Sequence, residues 1–380
     1  MDSGEPHGRD VTSARSLGPS LYALRCRAHL AFYQSIVERR SLQIAHRGIN
    51  LLVAAVTRPG DVVRRLRARL LKDGASQDVT VSASRKEPLQ RSNASSSTLP
   101  IVFIHQANSD YLKYALAQAH KSNPGSAICL LGDASSERYE FVERHSMFDY
   151  FHGAGRFAEI YKHYSTHPVG FELINFQRWF ILREFLIANG LERCLYLDSD
   201  TMLYADVTED SRKFKHFDFT LSHGMIGCTF FLNRLDALTE FCDFLVDIYA
   251  GKDKYAYDRL VAHFTARRMN GLPGGACDMT AFQLYNELHF GEIGEVTQVI
   301  DGSVYDPAIT SPVPGFEMEN GIKKLTWKGG IPYGTHVRTG EQVRFNSLHL
   351  QGQTKYLMGQ YYRQIIETAR LFTGAAATAD

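Results

Sequence analysis

The chain lacks the features of several common protein classes. Its six cysteines are widely spaced and form no Cys-x-x-Cys pair, which argues against a disulfide framework or a zinc ribbon and favours a reducing compartment. No apolar run reaches the roughly 18–20 residues that cross a bilayer, and the N-terminus shows no secretory pattern. The 42 Lys and Arg residues nearly balance the 41 Asp and Glu residues, whereas nucleic-acid-binding proteins usually carry a basic excess. We therefore expect a cytoplasmic protein with no nucleic-acid partner.

Three nucleotide and hydrolase motifs are also missing: the sequence has no Gly-x-Gly-x-x-Gly, no P-loop and no Gly-x-Ser-x-Gly. Dinucleotide, ATP and hydrolase functions therefore lack their usual sequence signatures. What the chain does have is 380 residues, of which 44% are hydrophobic and 12% aromatic. This composition predicts a folded protein with a large core and more than one domain.

Charge is distributed unevenly along the chain. Residues 1–95 contain 16 Lys and Arg against 8 Asp and Glu, and the remainder carries an acidic excess. The pattern predicts a basic helical region over 1–73, a Ser-rich linker over 74–99, and a C-terminal helix with a disordered tail over 361–380. Basic amphipathic helices within 20–72 favour peripheral contact with the inner face of a membrane, although a solvated helix face explains the same charges.

Strand and helix patterns alternate from residue 100 to residue 360. Short apolar runs rich in β-branched residues are separated by amphipathic stretches and by Gly- or Pro-containing turns. The predicted elements are strands at 101–104, 127–131 and 194–197 and helices at 110–121 and 171–189. A strand, a helix and a second strand of this length form a βαβ unit, so the body is predicted to be α/β with parallel strands.

Two carboxylates, Asp198 and Asp200, follow the buried strand 194–197 directly. The carboxyl edge of an open α/β sheet is where ligands bind. Two aspartates there are costly unless they are paired or bind a cation, and hard divalent cations prefer oxygen ligands. Surface turns also produce Asp-x-Asp, so the motif alone indicates a metal site only weakly.

A second polar motif, His349-x-x-Gly352-x-x-Lys355, lies near the C-terminus. Histidine can complete a site for a borderline cation such as manganese. Glycine lets the backbone approach a ligand closely, and lysine offers a point charge to phosphate oxygens. By itself, a histidine followed by a lysine is usually coincidence.

Taken together, the strand with Asp-x-Asp and the distal His-x-x-Gly-x-x-Lys resemble glycosyltransferases of the GT-A fold. The sequence is most similar to glycosyltransferase family 8 and to bacterial surface-polysaccharide sugar transferases, over residues 100–360. The resemblance implies a Rossmann-like, mixed, mostly parallel sheet flanked by helices, with an N-terminal helical extension outside it. It also implies metal-dependent transfer of a sugar from a nucleotide-sugar, first of all a UDP-sugar, to a saccharide or lipid-linked acceptor in glycan or surface-polysaccharide synthesis.

The resemblance implies roles for the residues of both motifs. Asp198, Asp200 and His349 would bind Mn²⁺ or Mg²⁺, and Asp198 and Ser199 would also contact the nucleotide-sugar. Lys355 would neutralise the diphosphate, and Gly352 would permit that close contact.

Further roles follow from the resemblance at other positions. Arg178 would point toward the donor sugar and phosphates, the alternative being a solvent-facing helix arginine. The nucleoside would be cradled by His105, Gln106, Asn108 and Asp133, although Asp133 is equally well explained as a helix N-cap. Asn233 would line the acceptor side.

One segment departs from the family pattern. Family 8 usually has Asp-Gln-Asp where this chain has Asp278-Met279-Thr280, which puts a retaining mechanism in doubt. If the reaction inverts, Asp278 is the first choice for the general base, and a helix N-cap is its structural alternative.

Two other functions remain open at this stage. The fold could bind a nucleotide-sugar without turning it over. The segment Asp198-Ser199-Asp200-Thr201 also resembles the nucleophile strand of haloacid-dehalogenase-like phosphatases, which place that strand first and need a later lysine and acidic pair.

Overall fold

The structure is a computed structural model, and it describes residues 98–363. The predicted basic helices within 20–72, nearly all of the 74–99 linker and the tail beyond residue 363 lie outside the described residues. Among the residues that are described, no helix is both long and apolar enough to cross a bilayer.

A seven-stranded sheet forms the centre of the described body. The strands are β1 (Ile101–His105), β2 (Ile128–Gly132), β3 (Glu143–Ser146), β4 (Cys194–Leu197), β6 (Phe219–Leu221), β7 (Thr229–Leu232) and β8 (Ile293–Glu295). They lie in the order β3-β2-β1-β4-β7-β6-β8. Four of the six strand pairs are parallel, and β7 runs antiparallel to both neighbours. The predicted fold class, a mixed, mostly parallel sheet flanked by helices, is confirmed.

Seven helices accompany these strands within residues 98–363. They are α1 (Leu112–Ser122), α2 (His152–Ile160), α3 (Val169–Asn189), α4 (Val207–Phe214), α5 (Leu235–Tyr249), α6 (Lys254–Met269) and α7 (Asp278–Leu288), with 3₁₀ turns at Met147–Tyr150 and Gly352–Tyr356 and helical residues at 357–363. The predicted βαβ unit is β1-α1-β2, whose strands pair in parallel. The predicted end of the long helix is also confirmed, since Gly190 adopts a left-handed φ of 63° after α3, a conformation that glycine takes without strain.

Both faces of the sheet are covered. Val102 on β1 packs in a cluster with helices α2, α3, α5 and α7, and Phe103 beside it packs on the opposite face with α1 and α4. Successive strand residues point to opposite faces, so the fully buried β1 requires apolar residues at nearly every position.

A second sheet brings the C-terminal part of the chain to the main one. Its strands are β5 (Thr201–Leu203), β9 (Ser303–Tyr305), β12 (Thr326–Lys328), β13 (Ile331–Thr335) and β14 (Gln342–His349), and β10 (Met318–Glu319) and β11 (Ile322–Lys323) form a separate hairpin. The order in this second sheet is β12-β13-β14-β5, with β9 also paired to β14. Antiparallel pairing of β14 with β5 sets His349 opposite Thr201, and this register carries the C-terminal motif to the Asp-x-Asp segment.

Candidate active site

The carboxyl ends of three adjacent parallel strands form the edge on which the candidate residues lie. β1 ends at His105, β2 is followed by Asp133, and β4 is followed by Asp198. Because β2, β1 and β4 are neighbours and run in parallel, these side chains share one edge of the sheet. The sequence-based expectation of a polar edge is therefore met in the main-chain topology.

Arg178 on α3 joins the two acidic segments of this edge. Its Nη1 donates to Oδ1 of Asp198 at 2.6 Å, and its Nη2 donates to Oδ2 of Asp278 at 2.6 Å. Burial disfavours the charge, but the carboxylates of Asp198 and Asp278 outweigh it and raise the pKa of Arg178 well above its usual value. With only 15% of its side chain exposed, Arg178 is not the solvent-facing arginine that was the alternative.

Asp278 is the first residue of α7, and Cys277 is the N-cap, so the N-cap alternative for Asp278 is wrong. Its Oδ2 also accepts from Nε1 of Trp179 at 3.1 Å, and its Oδ1 accepts from the backbone N–H of Met279 at 2.9 Å. Only 3% of the Asp278 side chain is exposed. Because the carboxylate is buried and held by these donors, the contacts support a role for Asp278 in holding Arg178. The general-base role stays a prediction.

Asp200 lies between His349 and Lys355. Its Oδ1 is 3.2 Å from Nε2 of His349, and its Oδ2 is 3.1 Å from Nζ of Lys355. Burial raises the pKa of Asp200, but the charges of His349 and Lys355 outweigh it and hold the pKa well below the usual range. Asp200 is therefore an ionised carboxylate in a largely buried position.

His349 faces both carboxylates through one ring nitrogen. Its Nδ1 lies 2.7 Å from the carbonyl oxygen of Pro307, so Nδ1 carries a proton and donates a hydrogen bond to that oxygen. Nε2 then points to Asp200 and lies 4.0 Å from Oδ2 of Asp198. Burial lowers the pKa of His349, but the neighbouring Cys228 and Asp200 outweigh burial and raise it well above the usual value.

The residues fit a divalent cation. One ligand atom each of Asp198, Asp200 and His349 lies within 4.8 Å of the others. Two neighbouring ligands of an octahedral cation, each at about 2.1 Å, are roughly 3.0 Å apart, close to the 3.2 Å between His349 and Asp200. Two carboxylates and an imidazole suit manganese or magnesium in chemistry, and the Nδ1 hydrogen bond fixes the imidazole as metal-ligating histidines usually require.

Tyr111, which sequence reasoning missed, lies beside the lysine. Nζ of Lys355 is 3.3 Å from the Tyr111 hydroxyl and 4.7 Å from the centre of its ring. His105 contacts Ser199, since its Nδ1 is 2.9 Å from Oγ of Ser199. Burial, and then the charge of Lys355, lower the pKa of His105. The predicted residues His105, Ser199 and Lys355 are thus neighbours.

The remaining nucleoside-cradle residues lie farther toward solvent. Asp133 accepts from the backbone N–H of Ala107 at 2.6 Å and is followed by a turn, so it does not cap a helix. The hydrogen bond from the Ser135 hydroxyl, and then that from the Ala107 N–H, lower the pKa of Asp133. Asn108 donates to Glu137 at 3.2 Å, and Gln106 is exposed. Their roles toward a nucleoside stay predictions.

Asn233 lies at the opposite edge of the sheet, which corrects the acceptor-side prediction. β7 is antiparallel to β4, with Thr229 opposite Leu197. Asn233 follows the far end of β7, four residues or roughly 13 Å along the strand from the Asp198 edge. Its amide donates to the carbonyls of Phe214 and Phe217 at 2.9 and 3.0 Å, which is a structural contact.

Gly352 occupies the position at which the chain turns toward Lys355. It begins the 3₁₀ turn Gly352–Tyr356 and has a φ of 62°, a left-handed value that other residues adopt only with strain.

Tyr196, another residue that the sequence did not single out, donates its hydroxyl to Asp198 at 2.9 Å. An alternating strand points residues 196 and 198 to the same face, which was the one signal available for it.

Comparison with known proteins gives similarity to solved structures only. No protein-family model matches the chain, and no curated protein sequence matches it. The chain is similar to mouse xyloside xylosyltransferase 1 (TM-score 0.38, 11% identity, 55% of this chain and 88% of that one). It is also similar to the bifunctional glycosyltransferase WbbM (0.38, 11%, 74% and 52%) and to glycosyltransferase GlyE of Streptococcus pneumoniae (0.29, 13%, 53% and 45%). The matches therefore span about half the length of WbbM and of GlyE.

Proposed function

We propose that this protein is a metal-dependent glycosyltransferase. In this proposal it moves a sugar from a nucleotide-sugar, first of all a UDP-sugar, to a saccharide or lipid-linked acceptor in glycan or surface-polysaccharide synthesis. The observation that carries the proposal is the convergence of Asp198, Asp200 and His349 within 4.8 Å, beside Lys355. A histidine from one sheet and two aspartates from the end of another form a ligand set that neither segment supplies alone.

The chain's own residues divide the work of binding the donor. Asp198, Asp200 and His349 would hold the cation, and Lys355 would offer the diphosphate a positive charge beside Asp200. His105 and Ser199, joined by a hydrogen bond of 2.9 Å, offer polar atoms to the nucleoside side. A bound divalent cation stabilises the negative charge that develops on the leaving diphosphate.

Arg178 supplies the second fixed positive charge. Its two ion pairs of 2.6 Å hold the guanidinium between Asp198 and Asp278, so the protein itself fixes its orientation. Charge that is oriented in advance needs little reorganisation when a transition state forms. This supports a role for Arg178 next to the transferring sugar and its phosphates.

The proposal is tested by nucleotide binding. UDP, GDP and CMP are titrated into the full chain with and without Mn²⁺, and melting temperature and calorimetry are read. We expect one nucleotide, first UDP, to stabilise the wild type only with Mn²⁺, and Asp200→Ala to lose this effect. Asp258→Ala is the control, because Asp258 is 57% exposed on α6.

Two results would contradict the proposal. One is the absence of metal-dependent stabilisation by any of the nucleotides, and the other is unchanged Mn²⁺ affinity in Asp200→Ala. Release of free nucleotide from a UDP-sugar then separates an enzyme from a binding protein. Binding without release would support the non-catalytic alternative.

A further inference from the structure

His349 is held by a short segment that follows β9. Its backbone N–H donates to Oδ2 of Asp306 at 3.1 Å, and its carbonyl accepts from Ile309 N–H at 2.9 Å. Its ring Nδ1 donates to the Pro307 carbonyl at 2.7 Å. Three hydrogen bonds therefore fix both the backbone and the ring of His349 to residues 306–309.

Lys323 on β11 fastens that segment from behind. Its Nζ donates to Oδ1 of Asp306 at 2.7 Å and to the carbonyl of Ala308 at 2.6 Å. Its backbone N–H donates to the Ile309 carbonyl at 2.8 Å. Lys323 thus joins the residues on both sides of Pro307, the residue whose carbonyl accepts the hydrogen bond from Nδ1 of His349.

The pair of Lys323 and Asp306 is costly for packing alone. Both side chains are fully buried, with 0% exposure, and taking two charges out of water is expensive even when they pair. Apolar residues of similar volume often give equal or greater stability at such positions. A charged pair here therefore calls for a role besides filling space.

We propose that Lys323 and Asp306 are positioning residues, which hold the Pro307 carbonyl on Nδ1 so that Nε2 of His349 faces Asp198 and Asp200. This inference rests on the proposed metal site and adds to it the residues behind the histidine ligand. Partners that orient a metal-binding histidine usually contribute about 10–100-fold to metal affinity. Lys323 would act less directly, through the segment that carries Pro307, whereas Asp306 also accepts from the His349 backbone N–H.

The test compares Lys323→Met with Lys324→Met in the full chain. Lys324 is the adjacent residue, its side chain is 49% exposed, and it lies 3.9 Å from Glu317. Mn²⁺ alone is the probe, and calorimetry at neutral pH gives its affinity. We expect Lys323→Met to weaken Mn²⁺ binding by about tenfold, the lower end of that range, and Lys324→Met to leave it unchanged.

A second readout separates positioning from general stability. Because Lys323 acts through His349, Lys323→Met should cause no further loss of Mn²⁺ affinity in a His349→Ala background. Where Lys323→Met does not fold, Lys323→Met/Asp306→Asn removes both charges together and carries the same comparison.

The outcomes are distinct. If folded Lys323→Met binds Mn²⁺ as tightly as the wild type does, the positioning role is overturned and the proposed function still stands. An additional loss in the His349→Ala background also overturns it, because the effect would then bypass His349. A wild type that does not bind Mn²⁺ overturns the proposed metal site and this inference with it.

Discussion

Replacing Arg178 by Met should destabilise the protein by about 3 kcal/mol, because removing one partner of a buried ion pair typically costs 3–5 kcal/mol. Asp278 determines most of this loss. Its side chain is 3% exposed, so water cannot replace the lost guanidinium. It would retain the Trp179 and Met279 N–H donors, which places the expected cost at the lower end of the range.

Asp198 adds less to the loss. Its side chain is 19% exposed, so water can replace part of the lost interaction with Arg178. It would also keep the Tyr196 hydroxyl as a hydrogen-bond donor. Neutralising Asp278 in the Arg178→Met protein should therefore remove most of the penalty, and Arg178→Met/Asp278→Asn should recover about 2 kcal/mol, within the 0.5–3 kcal/mol typical of coupled neighbours.

Equilibrium unfolding in urea, followed by circular dichroism, measures both free energies. Arg212→Met is the control, because Arg212 is 69% exposed and pairs with Glu209 on the surface; its loss should cost less than about 1 kcal/mol. The reasoning is refuted if Arg178→Met costs no more than this control, or if Asp278→Asn restores nothing. The double variant should fold and still fail to release nucleotide from a UDP-sugar.

Three further predictions concern single residues. Gly227→Ala should lower the free energy of unfolding by about 1–3 kcal/mol, because its Cβ would lie 2.5 Å from Cη2 of Trp179; Gly170→Ala, with open space around it, is the control in the same urea titration. Gly352→Ala should cost about 1 kcal/mol from the left-handed φ alone, since the site has room for a methyl group, and an unchanged melting temperature would contradict this. Lys355→Gln should weaken Mn²⁺-dependent UDP binding about tenfold, or ~1.4 kcal/mol, in calorimetry, while Mn²⁺ affinity itself does not fall.

The parts of the fold that the sequence predicted correctly are local. The β1-α1-β2 unit and the strand before Asp198 follow from residues adjacent in the chain, whose periodicity and turn residues determine structure over a few turns. The end of α3 at Gly190 is predictable for the same reason, since one residue supplies the left-handed conformation.

The strand direction of β7 was not predictable in this way. An apolar run has the same pattern whether it pairs in parallel or antiparallel, and β7 reverses relative to β4. Asn233 therefore lies at the wrong edge for the acceptor-side role.

The partners behind the site depend on contacts between distant segments. The pairing of β14 with β5 brings His349 to Asp200, and no spacing in the sequence encodes that register. No spacing in the sequence encodes the ion pair between Arg178 and Asp278 either, because the two residues lie on different helices. Buried polar partners such as Lys323 are hidden for another reason: in the sequence, a buried lysine looks like any other lysine.

The ion pairs around Asp200 connect metal binding with nucleotide binding. Oδ2 of Asp200 is 3.1 Å from Nζ of Lys355 and its Oδ1 is 3.2 Å from Nε2 of His349, so a divalent cation has to compete with both groups for the same carboxylate. A diphosphate offers Lys355 another anionic partner and thereby frees Asp200 for the cation. The cation in turn adds positive charge next to the diphosphate. We therefore expect each ligand to strengthen the other's binding by the same factor, as thermodynamic linkage requires, and that factor to shrink when Lys355 carries no charge.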